Sequence, residues 1–189
     1  MRSSRTRRRC SRADACGLSK ATLYHYYRDK YALLVSICEE HVATLRALVD
    51  AVDARALAPE ARLRELIRRF VHAYAGARHA HRVLTEDVRF LDDADRERVL
   101  GTERAVVDGI ARAVAAVRPE LADAYLAKPL TMLLFGMINW MFTWVRPGGA
   151  LDHDALAPIV ADLFLGGLPA VALPPPRAAT TATKTTATT

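Results

Sequence analysis
Between Ser19 and Lys30 the chain reads SKATLYHYYRDK, an unusually dense run of hydrogen-bonding side chains. Ser19 can cap a helix by accepting backbone N–H bonds, and Lys20, Ala21, Thr22, Leu23 and Tyr24 form the short helix after it. Side chains near the start of a helix lying in a major groove face the groove floor. There a lysine donates to guanine O6 and N7, and a threonine methyl suits a thymine methyl. Lys20 and Thr22 are therefore candidates to read bases, with Ala21 between them in the same set. Ser19 can also meet a phosphate through its hydroxyl or N–H. Leu23 and Tyr27 share the apolar spacing of Leu33 and Leu34 and are expected in a core, while His25 suits either side.

The charge distribution agrees with that chemistry. Of 189 residues carrying a net charge of +6, the first 30 hold nine Lys or Arg against two Asp. The remainder holds 18 basic and 19 acidic side chains, so all the surplus positive charge sits beside the candidate reader. Attraction to phosphate requires that placement, although a solvated basic terminus over Arg2 to Arg12 would show it too. The turn Cys16-Gly17-Leu18 before the short polar helix completes the pattern of a helix-turn-helix.

The string GLSKATLYHYY followed by Lys30, Leu33 and Leu34 strongly resembles the tetracycline-repressor (TetR) family of bacterial transcription regulators. The resemblance implies an all-α fold, a double-stranded DNA operator as partner and a homodimer. It also implies that Tyr24 reaches the groove while Tyr26 and Lys30 bind phosphates on either side of it, with His25 in the same DNA-facing group. The family begins with an apolar helix braced across the reader, and residues 1–12 (MRSSRTRRRCSR) provide none. Arg12 stands where the family has an apolar residue. The expectation is a truncated or misread start, with a basic arm reaching into the minor groove as its rival. The chain is thus expected to be a ligand-responsive DNA-binding regulator, a repressor. The alternative is a ligand-binding dimer without autonomous DNA binding.

Past the reader, apolar residues recur at helical steps. One helix is expected from Asp29 or Lys30 to Asp53, with Cys38, His41, Leu45, Val49 and Val52 on its apolar side. Others follow from Pro59 to Gly76, His79 to Leu91, Asp95 to Val117 and Glu120 through to Trp144. A last helix is capped by Asp152 or Asp154, has Pro158 in its first turn and ends at Gly166-Gly167. Gly101 and Gly109 inside a helix suggest a kink or close packing. Residues 1–50 form the expected DNA-binding part, 51–170 an effector-binding and dimerisation part, and 171–189 a low-complexity disordered tail.

The helix ending at Trp144 is apolar on more than one face, so both faces need cover. Trp140 and Trp144, with Leu156, Ile159, Val160, Leu163 and Phe164 of the last helix, are expected to meet a second copy. Met132, Phe135, Asn139 and Phe142 fall on another side and are expected to line a pocket, with Tyr74 at its rim. Asn139 is the one amide in an apolar run, so a ligand carbonyl or a neighbouring helix must satisfy it. Arg89, beside Phe90, suits an anionic head group or a surface salt bridge. The runs FGMINW, TWVRPGG and ADLFLGGL resemble family members that sense acyl-CoA thioesters, which implies such an effector and control of lipid or acid catabolism.

Other chemistries find little support. His79 and His81 are two apart and diverge on a helix, so a metal site with Glu86 and Asp87 is not expected. No nucleophile elbow, phosphate loop or carboxylate pair marks an enzyme, and no cofactor is expected. Leu130 to Val145 is short for a bilayer span and contains Asn139. Three cysteines (Cys10, Cys16, Cys38) without paired spacing or a signal segment suit a reducing cytoplasm.

Overall fold
The computed structural model describes residues 30–145, 149 and 151–174. The expected DNA-facing residues Ser19, Lys20, Ala21, Thr22, Tyr24, His25 and Tyr26 lie outside them, as do residues 1–12 and 175–189. The described residues contain helices and no strand. They are α1 (Lys30–Asp53), α2 (Pro59–Gly76), α3 (Arg78–Asp87), α4 (Asp93–Val117), α5 (Glu120–Asp123), α6 (Ala127–Trp144) and α7 (His153–Gly167). Short 3-10 turns, Val88–Phe90 and Leu168–Ala170, follow α3 and α7.

Local chemistry explains most of the boundaries. Pro59 opens α2, where its missing N–H leaves no bond unmade. Asp92 and Asp152 accept the N–H groups of Asp95 and Ala155 at 2.8 and 2.9 Å and cap α4 and α7. Beyond shifts of one or two residues at the starts of α3 and α4, three features differ from the sequence reading. The helix expected from Glu120 to Trp144 is broken, because Tyr125 takes a left-handed conformation (φ 57°). The Leu126 N–H then bonds back to the Leu121 carbonyl at 2.8 Å, closing α5 after one turn. Glycine usually fills such a position, so this break carried no compositional signal. Pro158 is the sixth residue of α7 rather than part of its first turn, and it removes the bond that residue 158 would donate to the Asp154 carbonyl. The helix expected to reach Leu91 ends at Asp87 and tightens into the 3-10 turn.

The main core gathers α1, α2, α4, α6 and α7 around Phe70, Leu66, Ile67, Ile110 and Leu134, all buried. A smaller cluster of Cys38, Val42, Val83, Leu84, Leu91 and Val99 joins α1, α3 and α4. Burial, with Asp87 and Glu39 near, pushes the Cys38 thiol up to about 11, which leaves it protonated and inert at neutral pH. The start of α1 is tied to the start of α4: Tyr31 Oη donates to Asp95 at 2.7 Å and accepts the Asp92 N–H at 2.9 Å. At the other end the chain stays packed as far as Val171, whose carbonyl accepts from Arg118 at 2.8 Å.

Of the two glycines within α4, Gly109 carries the close packing. A Cβ there would stand 2.8 Å from Val49 Cγ1, and Val49 is a stiff, fully buried β-branched residue. Overpacking of this kind costs about 1–3 kcal/mol, against about 1 kcal/mol gained from alanine's helix propensity. Gly109→Ala is expected to lower stability by about 1 kcal/mol in urea melts. Gly101→Ala, whose added Cβ meets only Arg104 Nη2 at 3.7 Å, should instead raise it slightly. Equal effects at the two sites would mean that the α1–α4 contact is not tight.

Candidate effector cavity and dimer face
Five helices converge on one polar cluster inside an otherwise apolar interior. α1 brings His41, α2 Tyr74, α3 His81, α4 Glu103 and α6 Asn139. His41 Nε2 lies 3.3 Å from His81 Nδ1, so the two imidazoles share one hydrogen. The His81 ring stacks on Tyr74 with centroids 4.2 Å apart. Phe70 meets Tyr74 and Phe135 edge-on at 5.9 and 5.7 Å, fixing both rings from below. Burial holds His41 below its ordinary value; burial and then His41 take His81 down to about 4. Both are neutral at pH 7. Burial pushes Glu103 up, partly opposed by Arg104, and Tyr74 is raised by burial and by Glu103.

Two partly enclosed spaces meet at this cluster. One of about 220 Å³ is walled by Val71, Ile138, Met141 and Val145, with His79 and His153 at its edge. The other, about 70 Å³, is walled by Val42, Leu84, Val106 and Phe135, with Glu103 and Met132. Tyr74, His81 and Asn139 border both. Among the described residues, two buried side-chain polar atoms find no hydrogen-bond partner: His81 Nε2 and Asn139 Oδ1. Asn139 is thus not satisfied at Oδ1 by a neighbouring helix. Leaving such a group unpaired in an apolar site costs about 1–3 kcal/mol, so each atom calls for a polar partner that the described residues do not supply.

A family model described as "Tetracyclin repressor-like, C-terminal domain" matches residues 56–168. A TetR-family transcriptional regulator from Bordetella parapertussis 12822 is 33% identical, covering 85% of this chain and 84% of its own, with a TM-score of 0.74. The chain belongs to the tetracycline-repressor family. TetR-family proteins are ligand-responsive DNA-binding transcription regulators, generally without enzymatic activity. The same fold is found in PfmR of Thermus thermophilus (22% identity, 82% and 86% of the two chains, TM-score 0.67). It is found too in AibR, solved with isovaleryl coenzyme A and operator DNA (21% identity, 80% and 83%, TM-score 0.61). No curated protein matches the sequence.

Within this TetR chain, the pocket residues expected from sequence separate into groups. Tyr74, Phe135 and Asn139 border the cavities. Met132 is 54% exposed and borders both the smaller cavity and an open outer groove of about 800 Å³ between α4 and α6, with Tyr125 and Lys128. Arg89 and Phe90 stand apart: Phe90 is exposed, and the Arg89 guanidinium stacks on its ring at 4.8 Å. The 3-10 turn that ends α3 turns both away from the interior. The Phe142 side chain lies outside the described residues. His41, His81 and Glu103 were missed as cavity residues, although His41 falls in an apolar stripe, which is itself a signal.

The outer surface of this TetR chain carries the second candidate feature. Leu133, Met137, Trp140 and Trp144 run down α6 at helical spacing and are exposed, Trp140 by 67%. Ile159 and Leu163 continue the patch on α7, which touches α6. An apolar patch with two tryptophans marks an interaction surface. Leu156, Val160 and Phe164, expected at the same interface, are buried in the protomer's own core at 6–8% exposure. Their stripe faces α2, and only Ile159 and Leu163 of the expected α7 set point outward. Lys30, the one DNA-facing candidate among the described residues, opens α1 with its side chain exposed. No described helix is long and apolar enough to cross a membrane.

Proposed function
We propose that the chain is a homodimeric, cytoplasmic repressor whose effector enters the cavity at His81 and Asn139 and weakens operator binding. The observation that carries this is the cavity itself. Its wall includes unpaired polar atoms, and His81 touches His41 on α1, the helix that follows the candidate reader. An effector that binds one arrangement of α1 better than another shifts the population between them, and with it the spacing of two reading helices. Residues 1–50 would read DNA and 51–170 hold effector and partner copy. The exposed Trp140, Trp144, Ile159 and Leu163 support a four-helix contact between copies.

An acyl-CoA thioester, with control of lipid or acid catabolism, is supported by the resemblance of the last two helices and by the isovaleryl coenzyme A in AibR. A cavity of about 220 Å³ takes an acyl chain and leaves the coenzyme outside. A dimer that binds effector without gripping DNA alone is the second reading.

Gel shifts of the full chain on its own promoter, with and without isovaleryl-CoA, test these readings together with Trp140→Glu. The wild-type dimer is expected to shift the promoter and release it with effector. Trp140→Glu should weaken dimerisation by at least about 2 kcal/mol, roughly thirtyfold, and lose the shift. A dimer without a shift would support the second reading. A monomeric wild type, or Trp140→Glu binding like wild type, would overturn the interface.

A further inference from the structure
Around the smaller cavity, Glu103, Asn139 Oδ1 and His81 Nε2 can all act as hydrogen-bond acceptors. Asn139 Oδ1 is a buried acceptor without a donor. Glu103 borders the same 70 Å³ space, half-buried, and makes no hydrogen bond or ion pair within the described structure. His81 Nε2, on a side chain only 5% exposed, is an acceptor whenever His81 Nδ1–H donates to His41 Nε2. Among the described residues no lysine or arginine borders either cavity, and the rings of Tyr74 and Phe135 complete the wall.

We propose that the effector presents a primary ammonium group to Glu103, Asn139 and His81 and lays a compact apolar body in the larger cavity. An ammonium carries three N–H donors and no acceptor, which matches three acceptors converging on a space this small. It supplies the hydrogen-bonded charge partner that Glu103 does not have among the described residues, where Arg104 acts only through its field, and an aromatic wall favours a cation. It also selects the imidazole tautomer in which His81 Nε2 bears a lone pair. A carboxylate head would face Glu103 with like charge and meet no lysine or arginine among the described wall residues. A thioester carbonyl would leave Asn139 Oδ1 still unpaired. The walls of Val71, Ile138, Met141 and Val145 suit an apolar remainder.

The proposal rests on the cavity being the effector site but replaces the acyl-CoA thioester as its occupant, and the test separates the two. 3-Methylbutylamine, 3-methylbutanol and 3-methylbutanoate share one branched body and differ only in the head group. Calorimetric titration and thermal shift of the full chain are expected to show the amine binding at least tenfold tighter than the carboxylate. Glu103→Gln, nearly isosteric, should lose at least tenfold in amine affinity while alcohol affinity holds; Asn139→Leu should weaken the amine as well. The amine class is overturned if the carboxylate binds as tightly as the amine, if Glu103→Gln leaves amine binding unchanged, or if the amine does not bind. In those cases, binding of the carboxylate or of isovaleryl-CoA that Val71→Trp blocks would keep the effector cavity. Absence of any such binding would remove the cavity reading too.

Discussion

Phe70→Ala is expected to lower the stability of the protein by about 3–5 kcal/mol, the largest loss from a single substitution in the main core. Phe70 sits mid-way along α2, has no exposed surface, and contacts Tyr74 and Phe135 edge-on. Alanine removes the transfer free energy of the ring and also the support of the two side chains that wall the cavities. The neighbours on α2, Leu66, Ile67 and Val71, are themselves fully packed, so the space closes poorly. Urea melts should show a lower midpoint with the slope unchanged. A loss below about 1.5 kcal/mol would mean that the site collapses and that Tyr74 and Phe135 are held by other contacts.

Acid is expected to destabilise the fold between pH 6.5 and about 4, by on the order of 3 kcal/mol from His81 alone. In the unfolded chain His81 takes a proton near its ordinary value; in the folded chain burial and His41 hold it down to about 4. The unfolded state therefore binds more protons across that window. The contribution is complete above pH 6.5 and is lost as pH falls through the folded value. His41, lowered by burial, adds in the same direction. Glu103, raised by burial, acts oppositely within part of the window. Glu65, held down to about 2 chiefly by its bond to Arg68, adds its loss at lower pH. Melts at pH 7.0, 5.5 and 4.5 should show a slope that His81→Phe flattens. An unchanged slope in that variant would mean that His81 is charged or hydrated in the fold.

Sequence periodicity placed α1 from Lys30 to Asp53 and α2 from Pro59 to Gly76, because proline, capping aspartates and apolar spacing act within one or two turns. The break at Tyr125 was hidden because a tyrosine carries no mark of a left-handed turn. Helix periodicity also gives a stripe without saying which body it faces. Leu156, Val160 and Phe164 read as an interface but meet their own α2, while Leu133 and Met137 of α6 face out beside Trp140. The cavity was half legible: Asn139 stood out as an amide in an apolar run. The His41–His81 contact joins residues 40 apart on different helices, which no local pattern reveals.

The close approach of Gly109 to Val49 gives α1 a fulcrum. At 1.5 Å per residue, His41 lies about 12 Å from it and Lys30 about 28 Å, on the same arm. A rigid rod pivoting there magnifies motion roughly 2.4 times between those two points. If an occupant pushes the imidazole pair aside by about 1 Å, Lys30 swings by roughly 2 Å or more, and any segment fastened to it moves with it. The Tyr31 hydroxyl, bound to Asp92 and Asp95 at the far end of that arm, is the latch such a swing has to release or drag along.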